Sequence, residues 1–100
     1  MKADVKIMSR YNDGDYLSKN SDWHVQDSPW KAQQIDKIIQ RNNLIPKTIC
    51  EVGCGAGEII RQLSMKSQYA QVDFMGYEIS DDAFELCRTR TTERLKYVKE

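Results

Sequence analysis

Three glycines at alternate positions, Gly53, Gly55 and Gly57, lie in the stretch TICEVGCGAGEII at residues 48–60. Glycine adopts backbone conformations that other residues avoid, and it lets a ligand approach the main chain closely. An apolar pattern with helical spacing follows, so we expect the loop to offer free backbone N–H groups and the positive end of a helix dipole. The sequence therefore predicts a small ligand lying against this turn.

A carboxylate stands at the end of the next apolar run. The segment MGYEIS places Glu78 about 20 residues after Gly57, a spacing typical of nucleotide-binding βαβ units. A carboxylate in this position accepts hydrogen bonds from the two hydroxyls of a ribose, and it would repel a phosphate. The predicted ligand accordingly carries a free ribose diol.

The spacing of the glycines separates two kinds of nucleotide ligand. The dinucleotide fingerprint G-x-G-x-x-G, read from Gly53, would put its third glycine at position 58, which is Glu58. The observed pattern is E-x-G-x-G-x-G, starting at Glu51. Glutamates at 51 and 58 suit a cationic, amino-bearing ligand better than a pyrophosphate.

These residues resemble a known family. EVGCGAG resembles motif I of the class I S-adenosylmethionine-dependent methyltransferases, and GYEIS resembles their acidic second-strand motif, with the likeness extending over residues 48–98. The resemblance implies S-adenosyl-L-methionine as cofactor and methyl transfer to a small-molecule acceptor. The cofactor-binding residues that it implies are Glu51, Gly53, Cys54, Gly55, Ala56, Gly57, Glu78 and Ile79.

The resemblance also implies a role for each part of this set. The backbone of 53–55 would approach the methionine part of the cofactor. Glu51 would orient the loop and the cofactor's amino group, directly or through water. Glu78 would hold the ribose hydroxyls, and Ile79 would lie against the adenine. No residue is identified as the general base.

Alternating helices and strands position these residues. The sequence predicts a helix over 29–42, with Ser28 as N-cap, Pro29 in the first turn and an apolar face of Ile35, Ile38 and Ile39. Asn42, Asn43 and Pro46 should end it. The apolar run TICEV then predicts a strand buried on both faces.

The rest of the chain continues this alternation. GEIIRQLSMK predicts a helix with Ile59, Ile60 and Leu63 on one face, and a second strand is expected over about 71–79. Ser80 or Asp81 can cap a third helix that turns Phe84 and Cys87 inward, and a third strand begins near Leu95. The predicted fold class is α/β, a Rossmann-like three-layer sandwich with a parallel sheet covered on both faces, truncated after the start of the third strand.

We expect residues 1–28 to form an N-terminal arm and residues 29–100 the N-terminal half of a methyltransferase-like cofactor-binding domain. Four aromatic residues belong to or border the arm, and we expect them to be buried because large rings favour the interior: Tyr11, Tyr16, Trp23 and Trp30. The segment WHVQDSPWKA resembles the arm that precedes the core in some bacterial methyltransferases. His24, the single histidine, is expected to be structural or solvated.

The amino-acid composition limits the kinds of partner and the cellular compartment that we expect for this chain. Lys plus Arg and Asp plus Glu number 15 each, so the net charge is zero, which disfavours nucleic acid and anionic membranes as partners. Three cysteines, an odd number, and no apolar leader indicate reduced thiols in the cytoplasm. Cys50, Cys54 and Cys87 lack the spacing of a zinc site, so we expect no metal, with Cys50 buried on a strand.

Two readings remain beside a methyltransferase. The first is an NAD(P)- or flavin-binding oxidoreductase fragment, which the position of the third glycine disfavours. The second is a non-catalytic fragment that associates through an open sheet edge. The family resemblance implies seven strands, and its fourth strand, which pairs with the first, is not recognised here. We therefore expect an exposed, apolar first strand that is prone to homo-association, and no catalysis by these residues alone.

Overall fold

The computed structural model describes residues 25–100, and the elements alternate between helix and strand along the chain. A short 3₁₀ turn at Val25–Asp27 leads into the first helix, and a second lies at Ser67–Tyr69. The main elements are α1 (Ser28–Arg41), β1 (Thr48–Val52), α2 (Glu58–Ser64), β2 (Asp73–Glu78), α3 (Asp81–Arg88) and β3 (Leu95–Lys99). The predicted order is confirmed, with most boundaries shifted by one or two residues, although α3 was expected to continue through 94 and ends at Arg88.

The ends of α1 follow from local chemistry. The helix is capped at Asp27 rather than Ser28, because the 3₁₀ turn runs directly into the helix and makes Ser28 its first residue. Pro29 lies in the first turn, where its missing N–H has no partner to lose. At the other end Asn43 takes a left-handed φ of 54°, and the N–H of Leu44 bonds back to Ile39. This arrangement closes the helix in the usual way for a left-handed terminal residue.

The inward face of α1 differs from the predicted one. Ala32 and Ile39 are buried and Ile35 packs against the same core, so the stripe runs through positions 32, 35 and 39. Ile38 lies one residue out of phase and is 56% exposed. The predicted burial of Trp30 is also wrong, because this residue lies on the outer side of α1 and is 64% exposed.

The three strands form one parallel sheet in the order β1-β2-β3. The register places Glu51 beside Gly76, and Gly76 beside Tyr97. These three residues therefore form a row across the sheet, and the glycine loop follows at the carboxyl end of β1. The row brings the side chains of Glu51 and Tyr97, on either side of Gly76, close to that loop.

One face of the sheet is covered by helices within the described residues. The core combines α1 and α2 with the inward side chains Phe74 and Leu95, and α3 contacts β2 and β3. Both crossovers advance in the same direction across the sheet, and right-handed crossovers of that kind place their helices on the same side. The prediction that both faces are covered is therefore wrong for residues 25–100.

The first strand shows the consequence. Its burial alternates, with Ile49 and Glu51 partly buried while Cys50 is exposed and Val52 is 84% exposed. The prediction of a strand buried on both faces, and of a buried Cys50, is wrong because nothing in residues 25–100 packs on that side. β1 is also an edge of the described sheet.

The predicted fold class is confirmed: an α/β arrangement with an open parallel sheet that matches the first part of a Rossmann-like fold. The predictions for the N-terminal arm, including His24 and the rings of Tyr11, Tyr16 and Trp23, fall largely outside the described residues. No helix within residues 25–100 has both the length and the apolar character needed to cross a membrane.

The phase of α1 can be tested by paired substitutions. Ile39→Ala should lower the free energy of unfolding by about 2–4 kcal/mol, because it leaves a cavity beneath the helix. Ile38→Ala should change it by less than about 0.5 kcal/mol, because the side chain is exposed. Urea unfolding followed by circular dichroism measures both values, and equal losses would contradict the observed phase.

Candidate functional site

The glycine loop needs all three of its glycines for backbone conformation. The φ angles of Gly53, Gly55 and Gly57 are 73°, 59° and 83°, in the left-handed region that side chains disfavour. A Cβ added at Gly53 would meet no atom of residues 25–100 within 4 Å, so the loop borders open space in this part of the chain. The predicted demand for glycine is confirmed, and Gly53 leaves room for a group to approach.

At Gly57 the neighbour that excludes a side chain is internal. A Cβ there would lie 2.5 Å from the ring of Tyr97, and one at Gly76 would lie 2.7 Å from the same ring. The Tyr97 hydroxyl donates a hydrogen bond to the Gly57 carbonyl at 2.7 Å. Burial raises the pKa of Tyr97, so this hydroxyl keeps its proton and its role as donor. Tyr97 of β3 thus packs against the loop at Gly57 and stabilises its conformation.

Four backbone donors of the loop are already paired. The N–H groups of Gly53 and Cys54 both donate to the Tyr77 carbonyl, at 2.8 and 3.0 Å, and the N–H of Gly57 donates to the Cys54 carbonyl at 2.9 Å. The N–H of Gly55 donates to a side chain of β2. The prediction that the loop offers free N–H groups is therefore wrong for these four. A ligand would be recognised here by close approach and by neighbouring carboxylates.

Glu78 ties the loop to the second strand. One carboxylate oxygen accepts the N–H of Gly55 at 2.7 Å, and the other accepts the N–H of Ser80 at 2.8 Å. The side chain is buried, with 5% of the residue exposed. Ser80 in turn accepts the N–H of Ala83 and so caps α3, as predicted. Each carboxylate oxygen has a second acceptor position, so hydrogen bonds to further donors remain chemically available.

Glu51 presents a buried oxygen without a partner. Its Oε1 atom is the one buried side-chain nitrogen or oxygen in residues 25–100 that makes no hydrogen bond. Burial and the nearby Glu78 carboxylate raise the pKa of Glu51 to about 7, while a hydrogen bond from the Ile60 backbone and the charge of Lys31 act in the opposite direction. Such an oxygen favours a donor, and above all a cation.

The other glutamate of the loop is neutralised. Glu58 forms ion pairs with Arg90 at 3.0 Å and Arg61 at 3.2 Å, and it also accepts a hydrogen bond from Gln62. The sequence analysis expected Glu58 to favour a cationic ligand together with Glu51, but these contacts direct it into α2 and towards α3. The acidic character of the site therefore comes from Glu51 and Glu78.

The remaining predicted residues lie close by in three settings. Cys54 is buried in the loop, with its sulfur directed towards Cys87 of α3. Ala56 is buried against Ala83, where its methyl group joins the loop to α3. Ile79 is half-buried directly after β2. The structure thus brings the whole predicted set to the carboxyl ends of β1 and β2.

Sequence reasoning missed Tyr97, Arg90 and Lys31 as neighbours of the site. Tyr97 carried a weak signal, since it alternates with Leu95 on the inward face of β3. The two cations carried none, because their contacts span distant parts of the chain. Among residues 25–100, no three histidine, cysteine, aspartate or glutamate side chains are grouped so as to hold a metal ion.

The fold that positions this site is that of the first part of a Rossmann-like domain, and solved methyltransferase structures share it. The chain is similar to the plantazolicin methyltransferase BpumL in complex with SAH, with 19% identity over 93% of this chain and 37% of that one, and a TM-score of 0.69. A second BpumL structure, with a monoazolic desmethylPZN analog and SAH, gives 20% identity, the same shares of the two chains and a TM-score of 0.70.

A third solved structure extends the likeness to another protein. The plantazolicin methyltransferase BamL, in complex with a triazolic desmethylPZN analog and SAH, shares 18% identity over 95% of this chain and 32% of its own, with a TM-score of 0.52. The chain therefore spans about a third of the length of these structures. No protein-family profile and no curated protein sequence matches it.

The two outer glycines of the loop provide a test of its packing. Gly57→Ala should lower the free energy of unfolding by about 2–5 kcal/mol, because it combines left-handed strain with a clash against Tyr97. Gly53→Ala meets open space and should lose only about 1–2 kcal/mol from strain. Urea unfolding of both variants measures the difference, and a larger loss at Gly53 would contradict the described packing.

The raised pKa of Glu51 predicts a pH dependence of stability. A carboxyl group whose folded pKa of about 7 lies above its unfolded value of 4.5 binds a proton more tightly in the folded state. Its contribution is fully present below pH 4.5 and is lost as the pH rises through 7. Through this group the wild type should lose about 1–3 kcal/mol of its free energy of unfolding between pH 5 and pH 7.5. We expect Glu51→Gln to abolish this loss.

The measurement compares urea unfolding of the wild type and the variant at several pH values. Taking the difference between the two proteins cancels other groups, including Asp36, whose pKa is lowered by its hydrogen bond with Tyr69. Glu93→Gln, on the exposed segment before β3, should keep the wild-type slope. A Glu51→Gln curve parallel to that of the wild type would show that Glu51 does not titrate in this range.

Proposed function

We propose that this chain takes part in S-adenosylmethionine-dependent methyl transfer and that its residues 29–100 form the cofactor-binding half of the enzyme. The observation that carries the proposal is the buried, unpartnered oxygen of Glu51 beside a glycine loop with open space at Gly53. The fold supports it, because the similar solved structures are methyltransferases in complex with SAH.

The residues present fit such a cofactor. An amino group on the ligand would give the unpartnered Glu51 oxygen a donor and a compensating positive charge. Glu78 keeps a second acceptor position on each oxygen, which suits two ribose hydroxyls. We assign the adenine side to Ile79, and the space beside Gly53 and Cys54 to the amino-acid portion. Gly55, Ala56 and Gly57 set the shape of the loop.

Methyl transfer asks for alignment more than for acid–base groups. When bound, S-adenosylmethionine supplies a methyl group that its sulfonium makes electrophilic. The residues described here would bind and orient the ligand and keep the loop rigid, and proximity and alignment are large contributions to such a reaction. We assign no general base to them. We propose that the acceptor site lies in the part of the fold that this chain does not span, and that these residues alone are not catalytically competent.

We propose a small molecule as the acceptor. Equal numbers of acidic and basic residues give no excess positive charge, which disfavours nucleic acid. The similar methyltransferases were solved with desmethylPZN analogs, which is compatible with an acceptor of modest size.

The free cysteines fit a reducing compartment, for which we propose the cytoplasm. The exposed Val52 on the open edge supports self-association, which sedimentation at increasing concentration would detect.

Calorimetric titration with S-adenosylhomocysteine tests the cofactor assignment. The wild-type chain should bind saturably, and Glu51→Gln should bind about tenfold or more weakly, because it loses a charge-assisted hydrogen bond. The affinity of the wild type should rise between pH 5.5 and pH 7.5, as Glu51 ionises, and that of the variant should stay flat.

Two controls accompany the titration. Glu93→Gln should bind as the wild type does, and NAD should give no heat with any of the proteins. Circular dichroism before each titration establishes that the chain is folded. The proposal would be refuted if the folded wild type gave no binding heat with S-adenosylhomocysteine, or if it bound NAD more tightly.

A further inference from the structure

We propose that Cys54 and Cys87 are a site of oxidative modification, at which an intramolecular disulfide joins the glycine loop to α3. Their sulfur atoms lie 3.8 Å apart, and both residues are buried, with 6% and 0% of their surface exposed. Both thiols also lie against the carbonyl oxygen of Gly55, at 3.1 Å for Cys87 and 3.9 Å for Cys54. The pair is thus held together by the packing of the loop.

The remaining gap is small and lies where the chain can adjust. A disulfide bond is about 2.05 Å long, so the two sulfurs must approach by roughly 2 Å. Cys54 stands between Gly53 and Gly55, and glycine backbones change their dihedral angles with little steric penalty. Cys87 lies in the last turn of α3. Rotation of the two side chains with a small shift of the loop brings the sulfurs to bonding distance.

The reaction requires an oxidant, and a small-molecule disulfide such as oxidised glutathione is sufficient. The Cys54 thiolate attacks one sulfur of glutathione disulfide and releases one glutathione thiolate. Cys87 then attacks the Cys54 sulfur of the mixed disulfide and releases the second glutathione. Two protein thiols are oxidised, one disulfide is reduced, and the two thiol protons pass to glutathione. The hydrogen bond with Cys87 and burial raise the pKa of Cys54, so the exchange is slow and its equilibrium is the informative quantity.

The third cysteine makes the prediction specific. Cys50 is exposed on the uncovered face of β1, on the opposite side of the sheet from the pair. In an unfolded chain the shorter loop between Cys50 and Cys54 favours their pairing, because loop closure costs less entropy. In the folded chain the geometry favours Cys54 with Cys87. The identity of the disulfide therefore reports whether the native fold directs it.

The experiment equilibrates the full chain in a glutathione redox buffer, with and without urea, and then alkylates the free thiols. Trypsin leaves Cys50 and Cys54 together on peptide 48–61 and Cys87 on peptide 67–88. We expect cross-linked peptides to exceed the internal Cys50–Cys54 disulfide by about tenfold in the native sample, and the preference to reverse in urea. Cys50→Ser should retain the cross-link, which excludes Cys50 as its origin.

Two results would overturn the proposal. One is a native sample in which Cys50 alone becomes glutathionylated while Cys54 and Cys87 remain alkylated as free thiols. The other is the same distribution of disulfides with and without urea. The comparison uses the wild-type chain, so it holds even if a substitution at Cys54 or Cys87 prevents folding. It requires no cofactor, and its outcome is therefore separate from that of the proposed function.

Discussion

The hydrogen bond between the Gly55 N–H and the Glu78 carboxylate is the contact on which the site depends. A glycine loop with three left-handed residues has little intrinsic preference for one shape, so its conformation must be set by its surroundings. Glu78 supplies a buried, charge-assisted acceptor at 2.7 Å and, through Ser80, the start of α3 is fixed by the same side chain. Loss of this carboxylate would leave two backbone donors unpaired in the interior, which is costly.

The second carboxylate of the site, that of Glu51, lacks the hydrogen-bond partners that Glu78 has. Glu78 is satisfied by two N–H groups, whereas Glu51 retains an unpaired oxygen and has a raised pKa. The two acids lie close enough for the charge of one to act on the other. Groups with perturbed pKa values cluster at functional sites, and at Glu51 a ligand can satisfy an oxygen that the protein leaves unpaired.

The sequence was most informative where local chemistry decides. The strand–helix alternation, the glycine positions, the Ser80 cap and the end of α1 all depend on a few neighbouring residues, and these predictions are confirmed. Two errors are local, namely the start of α1 at Ser28 and the end of α3 at Arg88, and the others concern contacts between distant parts of the chain. Ile38 and Ile39 are equally apolar, and only packing chooses Ile39. The free N–H groups expected in the loop are instead paired with Tyr77 and Glu78, and the exposure of β1 follows from crossovers that advance in one direction.

The contact of Tyr97 with Gly57 has a consequence for the order of folding. The two residues are separated by 40 positions, and Tyr97 belongs to the last strand of the described sheet. During synthesis on the ribosome, the residues of the glycine loop and α2 emerge well before β3, which contacts the loop through Tyr97. The loop would therefore acquire its final shape only when β3 pairs with β2, which makes its formation one of the late, long-range events that slow the folding of parallel sheets.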